Sequence, residues 1–171
     1  MAELLGTEPL LDAAATSDAI MQLGEGAQVV HVATHGFFNQ SQAEDSFLAL
    51  AGGPLTAGFL YESDRGLHAG LVVLSACQTA LGAEHPDSTI GLTNALLIAG
   101  AHAVVSTLWR IPDELTAPLM VRFHRHLLGG ASVADGLRAT QREALADPAT
   151  SDPYVWGGFR VAGLGEWRVA R

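Results

Sequence analysis

Two short apolar runs, Val29-Val30-His31-Val32-Ala33-Thr34 and Leu71-Val72-Val73-Leu74-Ser75-Ala76, each stop abruptly at a reactive side chain. The first stops at His35, followed by Gly36, and the second at Cys77, the only cysteine of the chain. Such runs read as buried strands, and in open α/β sheets chemistry gathers outside the carboxyl ends of parallel strands. The two ends are therefore expected side by side. Thr16-Ser17-Asp18 predicts the start of a short helix running through Leu23, and Gly24-Glu25-Gly26 the turn into the His35 strand. Between His35 and Cys77 the pattern predicts a polar loop at 39–45, a strand-like piece at 47–50, a Gly-Gly-Pro turn and a helix near 56–61.

Beyond Cys77 the chain reads as a loop at 82–87, a helix at 89–99 and a third buried strand at 103–108. Ile111-Pro112-Asp113 opens a longer helix in which Leu115, Leu119, Phe123 and Leu127 repeat every four residues, a stripe suited to a core. A further helix over 132–146 ends before Pro148, and 154–162 reads as an aromatic-rich strand. Residues 88–109 carry no Asp, Glu, Lys or Arg. Asn94, Gly100, His102 and Ser106 interrupt that stretch, so helix followed by strand fits it better than a membrane span. Strands alternating with helices predict a mainly parallel α/β sheet with helices on both faces. With 171 residues, 49% of them hydrophobic and 16% charged, one compact domain is expected.

Charge narrows the partners. Nine basic residues, all arginine, face 18 acidic ones for a net charge of −9, and residues 1–64 hold no Lys or Arg. Nucleic acid and anionic membranes reward clustered basic groups, so neither is expected as a partner. The beginning of the chain has neither the basic start of a secretory signal nor the arginines of a transit peptide. A single thiol that has to stay reduced points to the cytoplasm.

A neutral thiol is a poor nucleophile and needs a base to raise its thiolate fraction. His35 can supply that base and later protonate a leaving amine, while the backbone N–H of Gly36 can help hold an oxyanion. The competing reading makes Cys77 a small buried hydrophobe and His35 a hydrogen-bonded strand-end histidine, and the matched placement of the two weighs against it. His31, on the same strand face about 13 Å before His35, reads as core or as support for the site. His124 and His126 resemble a metal pair on paper, yet residues two apart point to different sides of a helix. His68, His85 and His102 fall in loops or at strand starts. Gly24-Glu25-Gly26 precedes a strand and lacks a third glycine in register, so nucleotide binding is not expected, and no cofactor is needed for thiol chemistry.

Ala33-Thr34-His35-Gly36, together with 71–82 (LVVLSACQTALG), 100–114 (GAHAVVSTLWRIPDE) and 153–163 (PYVWGGFRVAG), resembles the CHAT family, caspase-like domains related to separase. The resemblance runs from about Leu5 to Gly163. It implies a caspase-like three-layer sandwich and a cysteine endopeptidase whose His-Cys dyad falls on His35 and Cys77. The backbone N–H groups of Gly36 and Cys77 would be the oxyanion donors. It also implies substrate binding by Trp109 and Asp113, the latter reading a basic side chain before the scissile bond. The acidity of Asp113 and Glu114 equally suits a helix start. Ser75-Ala76-Cys77-Gln78-Thr79 meets the caspase signature in part, with Ser for Gln and Thr for Gly. Cleavage after aspartate is accordingly not expected.

Relatives in this family commonly extend further at the N-terminus, with an additional strand and helix, and many are fused to tetratricopeptide repeats. Residues 1–171 are thus expected to form a single domain, short at the N-terminus, with a protein or peptide substrate. A regulatory partner of the tetratricopeptide-repeat type, or self-association through an open sheet edge, is expected beside it. The loop at 82–87 is a candidate to order on activation. A non-catalytic interaction module and a small-molecule hydrolase remain the alternatives to an endopeptidase.

Overall fold

A computed structural model describes residues 1–39, 41–63, 66–76 and 90–170, and of Ala76 and Ile90 only the backbone. Helices α1 (Ala2–Leu5) and α2 (Ser17–Gly24) precede strand β1 (Val29–Thr34). Thr16 caps α2 as its sequence predicts, its Oγ1 accepting from the Ala19 N–H at 3.1 Å. Three short strands follow, β2 (Gly36–Phe37), β3 (Phe47–Leu48) and β4 (Leu55–Thr56), and then α3 (Ala57–Glu62) and β5 (Leu71–Ala76). The remainder runs α4 (Ile90–Ile98), β6 (Ala103–Thr107), α5 (Asp113–Leu128), α6 (Val133–Ala146), α7 (Pro153–Trp156) and β7 (Phe159–Gly163).

The main sheet has the order β1-β5-β6-β7, with β1, β5 and β6 parallel and β7 antiparallel to β6. Side chains alternate across it, as the pleat requires. Val72, Leu74 and Val104 pack on one face against Met21 of α2, Leu60 of α3 and Leu92 and Leu96 of α4. Leu71, Val73, Ala103 and Val105 pack on the other against Leu119, Phe123 and Leu127 of α5 and Leu137 of α6. The result is the expected three-layer α/β arrangement, helices on both faces of a mainly parallel sheet. The stripe predicted for α5 is its buried face, with Leu115 packed at the margin.

Gly100 ends α4 at φ +97°, a conformation glycine adopts without a Cβ penalty, and the chain turns into β6. Helix-then-strand is thus what the uncharged stretch forms, and no helix of the described residues is long and apolar enough to cross a membrane. One expectation fails: residues 154–156, read as strand, form the helical turn α7. Asp152 Oδ1 accepts from the Tyr154 N–H at 2.9 Å, and Pro153 takes the first helical position, where its missing N–H costs nothing. Local capping overrides the β preference of the aromatic residues. Among the described residues β1 has a strand neighbour on one side only.

Candidate active site

The register of β1 on β5 pairs Thr34 with Ala76, the residues immediately before His35 and Cys77. Cys77 and the 82–87 loop lie outside the described residues, as does His85. His35 is exposed and lines a cleft of about 600 Å³ together with Thr34, His31, Ser75, Asp113 and Thr116. A second, smaller cleft of about 310 Å³ lies between His35 and residues 110–114, so His35 and Asp113 border both spaces.

Gly36 opens the small antiparallel sheet opposite Leu48. The Ala49 N–H donates to the His35 carbonyl at 2.8 Å, which makes Gly36 and Leu48 a non-hydrogen-bonded pair. The N–H of Gly36 therefore points away from β3 and is not spent on that ladder. The following loop is held by its own side chains: Asn39 Oδ1 accepts from the Ser41 and Gln42 N–H groups, and Ser46 Oγ from the Asn39 N–H.

Trp109 is not among the residues lining the two clefts, although it immediately precedes Arg110, which lines the smaller one. Its ring stacks on Tyr154 with centroids 5.9 Å apart, and its indole N–H donates to the Tyr154 carbonyl at 2.7 Å. In return the Tyr154 hydroxyl donates to the Arg110 carbonyl at 2.7 Å. A Cβ on Gly158 would meet Trp109 Cε2 at 2.9 Å, so only glycine lets the indole lie so close to this backbone. The clamp anchors Trp109 and the Arg110 carbonyl, a few residues before Asp113.

On the α5 face of the sheet the structure brings together three residues that sequence reasoning did not join. His31 Nε2 lies 3.1 Å from Ser75 Oγ, His31 Nδ1 3.5 Å from His124 Nε2, and His124 Nδ1 2.8 Å from the Met120 carbonyl. His31 supports the cleft wall, as its position on the strand face predicts. Burial, then the neighbouring His124, then the α-amino group of Met1 push the pKa of His31 down from 6.5 to about 3. That of His124 is lowered by burial, against its hydrogen bond to the Met120 carbonyl. The sequence signal for this group was parity: His31 and Ser75 fall on the same face of adjacent apolar strands, and His124 follows Met120 by one helical turn. His126 points elsewhere, to Glu143 at 2.8 Å. Among the described residues no group of three or more His, Cys, Asp or Glu could hold a metal ion.

A family model described as CHAT domain matches residues 1–164. The chain belongs to the CHAT domain family. This CHAT domain is 28% identical over 201 residues to tetratricopeptide repeat protein 28 of Mus musculus, covering 95% of the chain and 8% of that protein. The Homo sapiens protein of the same name is 27% identical over 199 residues, again with 95% of the chain and 8% of the relative. The CHAT domain thus spans 8% of the length of the curated relatives it matches.

Proposed function

We propose that this CHAT domain is a cysteine endopeptidase unit in which Cys77 is the nucleophile and His35 its base and acid. The observation that carries the reading is the β1–β5 register, which pairs the residues immediately preceding His35 and Cys77 on adjacent parallel strands. His35 takes the thiol proton as Sγ attacks the peptide carbonyl carbon, and the amides of Gly36 and Cys77 receive the oxyanion. The C–N bond then breaks, and the proton passes from His35 to the leaving amine. Water, deprotonated by His35, hydrolyses the thioester and restores the thiol. The outward N–H of Gly36 supports its part, and the place of Asp113 beside His35 supports recognition of a basic side chain before the cut. Trp109 acts by positioning, through the clamp on Tyr154.

A reducing cytoplasmic setting suits this chemistry, and a tetratricopeptide-repeat partner or a second copy of the chain would regulate it. The name of the curated relatives, which speaks of repeats, favours one second reading: a non-catalytic interaction module on the same scaffold. Intact-mass labelling with arginine- and leucine-directed peptidyl acyloxymethyl ketones separates the two. The peptidase reading expects one adduct, on Cys77, faster with the arginine probe and lost in both Cys77→Ala and His35→Ala. A folded protein whose thiol reacts with iodoacetamide but with neither peptidyl probe would establish the interaction module instead.

A further inference from the structure

The small antiparallel sheet has a buried face and an open one, and the open one is aromatic. Its register pairs Gly36 with Leu48, Phe37 with Phe47, Phe47 with Thr56 and Leu48 with Leu55. The Ala49 N–H on the His35 carbonyl continues the ladder back to His35. Side chains alternate along a strand, so Gly36, Leu48 and Leu55 share one face, and all three are buried. The other face presents His35 and Phe37, with Phe47 and Ala49 beside them and Thr56 on β4. His35, Phe37 and Ala49 are exposed there, and Phe47 and Thr56 are half-buried.

A sheet with one face on the core ordinarily turns polar side chains to solvent. Here Phe37, 42% exposed, lies directly opposite Phe47, with ring centroids 5.4 Å apart and planes 28° from parallel. Such a cross-strand pair stabilises a hairpin modestly, and it leaves Phe37 open to solvent. Phe37 lies two residues beyond His35, about 7 Å at standard strand rise and on the same face. Neither ring lines the two clefts that His35 shares with Asp113. None of the five residues in the open row carries a fixed charge.

We propose that Phe37 and Phe47 form a shelf for the side chain that follows the scissile bond, and that this side chain is aromatic. The inference rests on the peptidase reading above and extends it to the other half of the substrate. In that reading His35 hands its proton to the leaving amine, so the nitrogen of the residue after the cut lies within hydrogen-bond reach of its ring. The clefts that His35 shares with Asp113 go to the residue before the cut, and the open row with Phe37 goes to the residue after it. An aromatic ring gains both burial and offset or edge contacts on a phenylalanine pair. A small polar side chain gains neither, and a carboxylate gives up water for no counter-charge. Phe37 sets the specificity, while Phe47, directly opposite, holds it in place and widens the shelf.

Calorimetric binding to the Cys77→Ala protein tests this without any turnover. The peptides differ only after the cut: acetyl-Ala-Arg-Phe-Ala-amide, its Ser and Lys counterparts, and acetyl-Ala-Arg-amide, which stops at the cut. The Phe peptide should bind about tenfold tighter than the Ser or Lys peptide, the scale of one aromatic contact with its burial. In the same background Phe37→Ser should bring that ratio close to unity and Phe37→Tyr should retain it. Neither should alter binding of the short peptide, which a general loosening of the small sheet would weaken. Leucine in place of the arginine should leave the Phe-to-Ser ratio unchanged, so the result does not hang on Asp113. The shelf is overturned by no measurable binding of the Phe peptide, by a ratio near unity in the parent, by a ratio that survives Phe37→Ser, by tighter binding of the Lys peptide, or by equal weakening of short and long peptides in Phe37→Ser. Covalent labelling of wild-type Cys77 without an aromatic preference removes the shelf and leaves the peptidase. An aromatic preference lost in Phe37→Ser, without that labelling, supports the shelf as a peptide-binding surface and removes the peptidase.

Discussion

His31 lies against the cleft with both ring nitrogens engaged, and burial is the largest cause of its lowered pKa. The sign of the consequence follows. Its folded pKa, about 3, is below the ordinary 6.5, so between those values the unfolded chain binds the extra proton and the folded one does not. The stability due to a neutral His31 is complete above pH 6.5 and is lost progressively as the pH falls through 6.5 toward 3. Each pH unit in that window costs on the order of 1.4 kcal/mol for one fully linked proton. Denaturant melts of the wild type and His31→Gln at about pH 7.5 and about pH 5 should show the wild type losing on the order of 2 kcal/mol more than the variant across the interval. Equal losses would place the sensitivity on other groups. Ser132 makes a simpler case: its buried Oγ accepts from the Asp135 N–H at the start of α6. Ser132→Ala should lower stability by about 1 kcal/mol in the same melts, as loss of an N-cap does.

Elements whose signals are local were legible, and those that depend on distant contacts were not. Thr16 announces α2, the four-residue repeat of Leu119, Phe123 and Leu127 announces α5, and Gly100 separates α4 from β6. Tyr154-Val155-Trp156 misleads because its aromatic residues favour strands, while the decision is taken by Asp152 and Pro153 just before it. The placement of His35 beside Asp113 was readable from strand ends and a family motif. The Ser75–His31–His124 line was not, since its links join residues 44 and 93 positions apart. The clamp between Trp109 and α7 is of the same distant kind, and it carries a prediction. Tyr154→Ala removes the ring under Trp109 and the hydroxyl on the Arg110 carbonyl, freeing the segment that presents Asp113. Displacement of a positioning group by about 1 Å can cost on the order of a hundredfold. Labelling by the arginine probe should slow by about tenfold or more, with the leucine probe less affected and the circular dichroism unchanged. Parallel slowing of both probes would assign the clamp to general stability.

The distribution of charge over the whole molecule and the recognition of a basic side chain proposed for Asp113 act in the same direction. The chain carries −9, its first 64 residues have no Lys or Arg, and Asp113 and Glu114 stand where α5 begins beside His35. Such a field raises the local concentration of cationic peptides and their rate of encounter, without improving the final contacts. The recognition proposed for Asp113 would work over hydrogen-bond distances and be little screened, whereas steering by the remaining acids works over a Debye length. That length shrinks from about 30 Å at about 0.01 M salt to about 8 Å at about 0.15 M. The second-order rate constant for the arginine probe should therefore fall several-fold across that range, while the leucine probe holds its rate. Asp113→Asn should lower the arginine rate at both salt concentrations yet keep most of the salt dependence, because the other acidic groups still supply the field. Disappearance of the salt effect with Asp113 alone would reduce the electrostatics of this domain to one carboxylate, and equal salt effects on both probes would trace them to the fold and not to the ligand.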